Sequence, residues 1–317
     1  MLSPQATVSV IIPCRDARDT LAAAIRSVLD QTVPPLEVLV IDDRSRDDSA
    51  AVAASFGPPV RVLAGAGRGP GAARRIGVEA AGGRYIAFVD ADDVVHPAKH
   101  ERQLAVLLGA RTETVVHTGA TLRWLDGRHP PRPRADAGRA AGRCTRVIFE
   151  SNPVCGASVM MRRELILALG NFREDLPISE DYAMWLAAST CADFVHLPEP
   201  LYHITRHAGN ITARPGLRAL CHFKAQEGFR RAFPEAFNAL PAESIRRCMV
   251  EPVLAAARQA WWRRDERDGP ALLDLAARLA PQDRQIRRLR RLARLPMGVV
   301  RLWDRLAGQA VPAAEAR

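Results

Sequence analysis

The stretch GGRYIAFVDADDVVHP, residues 82–97, decides how the chain is read. Tyr85 to Val89 is an uninterrupted apolar run, as a strand buried on both faces requires, and it stops at Asp90, Ala91, Asp92 and Asp93. The same event recurs upstream. Leu36 to Ile41 is an apolar run that stops at Asp42 and Asp43, Val8 to Ile12 is closed by Pro13, and Val60 to Leu63 leads into the glycine-rich GAGRGPGAARRIG at 65–77. Between these strands lie helical patterns. Asp19 or Thr20 can cap a helix carrying Leu21, Ile25, Val28 and Leu29, and a second helix runs from about Asp48 to Phe56. Pro97 suits the first turn of another, with Leu104, Leu107 and Leu108 as its buried face. Strand and helix alternate at least three times before residue 110. Such alternation predicts an α/β fold with a mostly parallel sheet flanked by helices, ligands binding outside the carboxyl ends of the strands. Both acidic clusters fall at such ends.

Further along, Thr114 to Thr118 reads as a strand, and the Arg- and Pro-rich residues 128–143 as a mobile loop or insertion. Order resumes with VCGASVMMRREL and a helix to Leu169. Glu180 and Asp181 open another short helix, and PEPLYHITRHAGNIT, residues 198–212, reads as a loop. From about Gly216 the pattern is all helical, so a boundary is expected near 215: a catalytic domain over 1–215 and a helical extension over 216–317.

The chain has 317 residues, 48% hydrophobic and 25% charged, which excludes collagen, a disulfide mini-protein and wholesale disorder. No run reaches the ~18 uncharged apolar residues of a membrane span, and the start shows no export signal, so a cytoplasmic protein is expected. The net charge of +10 belongs almost wholly to residues 216–317, at +9, against +1 for residues 1–215. Lys99 and Lys224 are the lysines, and the arginine excess can reflect genome composition, so no nucleic-acid partner is expected. The six cysteines form no CxxC pair and read as reduced, buried thiols.

Asp90 and Asp92 straddle one residue, so both carboxylates can face one hard divalent cation, or else be turn-forming residues that cap the next helix. Asp42 and Asp43 can accept from a nucleobase or ribose, or cap a helix. The glycine-rich segment can wrap phosphate or be a flexible loop, and it lies in the wrong unit for a dinucleotide fingerprint. A receiver domain or a phosphatase would need its acids after the first strand, where Pro13 and Cys14 stand.

In order, VSVIIPCRD, LDQTVPPLEVLVIDDRSRDDS, GPGAARRIG, GGRYIAFVDADDVVHP, GASVMMRREL before GNF, SEDYAMWLA and LYHITRHAGNIT give the chain a resemblance over residues 6–213. It resembles the family 2 glycosyltransferases of the GT-A type. The resemblance implies an inverting, metal-dependent transferase using a nucleotide-diphosphate sugar, a UDP-sugar first, to build a polysaccharide or glycoconjugate. It implies that Asp43 recognises the donor base, with Pro13 and Arg15 flanking it and Arg74 contacting the nucleotide. Arg15 stands where relatives often carry an aromatic residue, and Arg75 where they carry asparagine. Asp90 matches the first DxD carboxylate, near ribose and metal, and Asp92 the ligand of Mg²⁺ or Mn²⁺. Asp181 matches the general base, Glu180 an acceptor contact, and His207 the loop that closes over the diphosphate. The acceptor implied is a glycan or a lipid-linked sugar. Residues 284–308 form a basic amphipathic stretch that can lie on an anionic membrane, peripherally on its inner face, or pack against protein. The rival class is a non-catalytic, nucleotide-sugar-binding or scaffolding relative docked through this tail.

Overall fold

The computed structural model describes residues 6–124, 129–134, 140–206 and 214–293. They fall into two compact units. One holds the residues up to 211 together with 225–238, the other 212–224 and 239 onward.

The first unit is built on β1 (Val8–Cys14), β2 (Glu37–Asp42), β3 (Val60–Ala64) and β4 (Tyr85–Phe88), joined by helices α1 (Leu21–Leu29), α2 (Ser49–Ala54) and α3 (Pro70–Ala80). The four strands are parallel, in spatial order 3-2-1-4. Their continuous apolar runs follow from that position: β1, β2 and β4 are buried along nearly their whole length, whereas β3, at the edge, is partly exposed. The order reverses direction between β1 and β4. A crevice therefore opens at their carboxyl ends, where Pro13 and Asp90 stand.

Beyond β4 the sheet turns mixed. The order continues through β8 (Met160–Arg162), β6 (Thr114–Trp124), β9 (Asp193–Arg206) and β5 (Val94–Val95), with β7 (Arg132–Pro133) on the flank of β6. Strands β6 and β9 are parallel and paired from Thr114–Asp193 to Trp124–Arg206, with a register break between Thr118 and Ala120. Three sequence expectations are corrected here. Residues 198–206, expected as a loop, continue β9, because Pro198 and Pro200 sit in the register break, where no ladder N–H is required. Gly119 lies opposite, and a Cβ there would come within 2.6 Å of the Pro198 carbonyl. Arg132 and Pro133, from the stretch expected as a loop, pair with Leu122 and Thr121. Helix α4 (Lys99–Leu107) begins after Pro97, and Leu108 is exposed while Lys99, His100 and Gln103 take inward positions.

Helix α7 (Glu180–Ser189) is fixed by aromatic packing. Phe88 of β4 meets Phe172 edge-on at 5.2 Å, and Phe172 meets the fully buried Trp185 at 6.4 Å; each such pair contributes about 0.5–1.5 kcal/mol. The Tyr182 hydroxyl donates to the Phe149 carbonyl and accepts from Gln226. All six cysteines are free; Cys155, Cys191 and Cys248 are only half-buried, against the expectation of buried thiols.

Among its described residues the second unit is built of helices joined by turns, with no strand. Its core joins Val253, Ala257 and Trp261 of α11 (Glu251–Trp262), Leu272, Leu273 and Ala276 of α12 (Gly269–Leu279), and Ile286 and Leu289 of α13 (Arg284–Leu292). Asp283 caps α13 by accepting from the Ile286 N–H at 3.0 Å. No helix among the described residues is long and apolar enough to cross a membrane.

Candidate active site

The crevice begins at Asp43, one residue past β2. Its N–H donates to the Cys14 carbonyl at 2.8 Å, and its carboxylate accepts from the N–H groups of Gly67 at 2.6 Å and Gly69 at 2.7 Å. The glycine-rich segment is thus a wrap around this carboxylate. Gly67 and Gly69 have φ of +74° and +96°, which side chains rarely adopt, and a Cβ at Gly65 would stand 2.7 Å from the Asp43 Cα. Pro13, paired with Ile41, and the exposed Arg15 lie at the neighbouring end of β1.

Gly69 also opens α3, which carries Arg74 one turn in, buried. Its guanidinium donates to Asp90 Oδ1 at 2.6 Å and to Glu180 Oε1. One arginine thereby joins the turn after β4 to the start of α7. Burial pushes the Glu180 carboxyl up to about 7, with Asp181 adding and Arg74 opposing. Partial burial also raises Asp90, which Asp92 and Asp181 raise further and Arg74 opposes. Because Asp90 responds to both, these carboxylates share one locality.

Asp181 accepts from the Tyr182 N–H at 2.7 Å. A Cβ at Gly156 would overlap its Oδ2, so the glycine leaves the room the carboxylate occupies. Asp93 escaped sequence reasoning as anything but a third acid. It is buried and accepts from the Tyr202 hydroxyl and the Thr205 N–H, both at 2.6 Å, while the Asp90 N–H donates to the same hydroxyl at 3.3 Å. Asp93 and Tyr202 therefore lock the acidic turn to β9, a pairing across 109 residues that no local signal announces. His207 lies outside the described residues.

The acidic turn offers too few carboxylates to cage a cation by itself. No group of three or more His, Cys, Asp or Glu among the described residues would cage a metal, Asp93 is committed to Tyr202 and Thr205, and Asp90 is engaged by Arg74. Asp92 and one face of Asp90 would supply the one or two carboxylates that Mg²⁺ uses when phosphates complete its shell.

The raised Glu180 carboxyl has a consequence for stability. Between its ordinary value of 4.5 and about 7 the folded chain binds a proton that the unfolded chain has released. Stability should therefore fall as pH rises through that window and level off above it, by on the order of 3 kcal/mol. Urea unfolding from pH 4.5 to 8 in metal-free buffer checks this: Glu180→Gln should flatten that part of the profile, and parallel profiles would refute it.

A family model described as Glycosyl transferase family 2 matches residues 9–168. A succinoglycan biosynthesis protein, ExoO of Rhizobium meliloti, is 32% identical over 195 residues, 58% of this chain and 56% of that protein. The chain spans between about a third and two thirds of the length of the curated relatives it matches. Among solved structures, residues 1–349 of S. aureus TarS in complex with UDP-GlcNAc align with a TM-score of 0.59 at 18% identity, covering 90% of this chain and 92% of that one. The mannosyltransferase PcManGT of Pyrobaculum calidifontis, in complex with GDP-Man and Mn²⁺, aligns at 0.54 and 20% identity over 91% and 85%. These two likenesses are of fold.

Proposed function

The chain belongs to glycosyl transferase family 2, and we propose that it moves a sugar, with inversion, from a nucleotide-diphosphate donor to an acceptor hydroxyl in polysaccharide or glycoconjugate biosynthesis. The observation that carries this reading is the Arg74 bridge, which draws the Asp90–Asp92 turn and the Glu180–Asp181 pair into one crevice. Asp181 takes the proton from the attacking hydroxyl, and a single displacement needs no second carboxylate as nucleophile. Arg74 holds Asp90 beside the ribose and diphosphate. Asp92, with the free face of Asp90, would hold Mg²⁺ or Mn²⁺, which when bound stabilises the charge of the departing diphosphate.

Asp43, held rigid by two N–H groups, keeps lone pairs for the imide N–H of a base, with Pro13 and Arg15 at the rim. A UDP-sugar is the donor proposed, in line with the UDP-GlcNAc complex of TarS; the GDP-Man complex of PcManGT supplies the comparison base. His207 is proposed for the segment that closes over the diphosphate. Because Ile286 and Leu289 are spent in the core of the second unit, a membrane contact through residues 284–293 would rest on the exposed Arg284, Arg287, Arg288 and Arg291.

The test is a thermal-shift panel of UDP-, GDP- and dTDP-sugars with and without Mn²⁺. A donor at 100 times its Kd should stabilise the fold by about 2.7 kcal/mol. Asp92→Ala should abolish the Mn²⁺-dependent part of that gain. A panel in which no nucleotide sugar shifts the transition would overturn the reading.

A further inference from the structure

Away from the donor crevice, beyond β8, the ribbon of β6, β7 and β9 carries cations that nothing described so far uses. Paired strand residues share a face, and residues two apart on a strand do so as well. Tyr202 pairs with Ala120, Ile204 with Leu122 and Arg206 with Trp124; on the other flank Arg132 pairs with Leu122, and the Arg134 N–H donates to the Ala120 carbonyl. Arg134, Arg132 and Arg206 therefore lie on the face that bears Tyr202, whose hydroxyl touches Asp93 and the Asp90 N–H. No carboxylate among the described residues pairs with any of the three. Arg132 lies over the Trp124 ring at 5.2 Å, which holds its fork in place, and Arg132 and Arg206 are exposed. Arg134 is half-buried. The strip shares its face with Tyr202, whose hydroxyl stands beside the acidic turn.

We infer that this strip binds an anionic group of the acceptor, a phosphate or diphosphate next to the sugar that receives the transfer, through Arg134, Arg132 and Arg206. The inference rests on the transferase reading and names the acceptor's chemistry. A guanidinium offers a planar fork that matches a phosphate with two parallel hydrogen bonds. Arg132 and Arg134 stand about 7 Å apart along β7, a spacing at which one diphosphate can be gripped from both sides. The donor's own diphosphate is accounted for by the Asp90–Asp92 turn, which continues into β5 on one side of β9, whereas Arg132 and Arg134 lie on the opposite flank of β6. An anion at the strip also balances three cations that have no carboxylate partner among the described residues. A diphosphate-linked lipid carries such a group next to its sugar, whereas an acidic sugar within a glycan presents a carboxylate instead.

The full chain, in EDTA, is titrated calorimetrically with octyl diphosphate, octyl glucuronide and octyl glucoside below their micellar concentrations, as wild type and as the Arg132→Gln, Arg134→Gln, Arg206→Gln triple variant. Octyl diphosphate should bind the wild type tenfold or more tightly than the triple variant, with octyl glucoside indifferent to the substitutions. Preference for the diphosphate supports a lipid diphosphate, whereas preference for the glucuronide overturns it in favour of an acidic glycan. Equal affinities of both anions for wild type and variant overturn the proposal. Should the triple variant not fold, Arg206→Gln alone, at an exposed strand end, should weaken the preferred anion at least threefold, and no change there overturns it equally. The nucleotide-sugar shift in the wild type reports separately on the transferase reading, since none of the three arginines touches Asp43, Arg74 or the acidic turn.

Discussion

Asp181→Asn should lower turnover by on the order of 10²- to 10⁴-fold while the donor-induced thermal shift survives. Asparagine retains the oxygen that accepts from the Tyr182 N–H, so the start of α7 keeps its geometry and only the capacity to take a proton is lost. Glu180 is a poor substitute, because its carboxylate is engaged by Arg74 and burial favours its protonated form. Gly156→Ala provides the positional counterpart. The new methyl would overlap the Asp181 Oδ2 and push the carboxylate out of place with its charge intact. A displacement of about 1 Å can cost on the order of 10²-fold, so kcat should fall by about that much with donor affinity unchanged. Nucleotide release measured with saturating donor and acceptor reads both variants. Asp181→Asn retaining turnover within about tenfold of wild type would remove Asp181 as the base; a silent Gly156→Ala would show that its room is not needed.

The parts legible in the sequence are those whose physics is local. Buried runs such as Val8–Ile12 and Tyr85–Val89 identify themselves because a parallel strand covered on both faces has no polar alternation, and acids directly after such runs must lie at the carboxyl edge of the sheet. That pattern points to Asp43, Asp90 and Asp92, the family resemblance adds Glu180 and Asp181, and the structure brings them to one end of the first unit. What local patterns miss is pairing at a distance. Asp93 looks like a third member of an acidic turn, yet it is the anchor of β9 through Tyr202 and Thr205. Pro198 and Pro200 argue for a loop by propensity, and the register break lets the strand absorb them. Leu108 fits the apolar helical spacing but is exposed, whereas Lys99, from the same helix, is fully buried with no hydrogen-bond partner for its Nζ. Burial holds that amine down to about 7, a state no sequence pattern reveals. The glycines at 71 and 156 belong to motifs, but their purpose is spatial: each makes room for the Glu180–Asp181 pair.

Arg74→Met should destabilise the first unit by about 3–5 kcal/mol near pH 8, because it leaves Glu180 buried with no counter-charge and Asp90 without its fork. Protonation limits that loss. Glu180 already titrates near 7 with the guanidinium present, and removing the guanidinium moves it higher, so at pH 6 the variant holds a neutral acid and its deficit should shrink. A group raised in the folded state contributes less stability as pH climbs through its folded value, so the gap between variant and wild type must widen from pH 6 to pH 8. Adding Glu180→Gln to Arg74→Met removes the buried charge and should recover most of the stability at pH 8. On the proposed role of Asp90 beside the ribose, donor binding should not return with it, since Asp90 still lacks the guanidinium that holds it. Urea unfolding at the two pH values, with a nucleotide-sugar thermal shift on single and double variants, separates the two roles. A loss below about 1 kcal/mol at pH 8, or a double variant that binds donor like wild type, would mean that the bridge neither supports the fold nor shapes the donor site. The structure argues otherwise: one buried cation is shared by acids from two elements 90 residues apart in the chain, and the crevice they form depends on it.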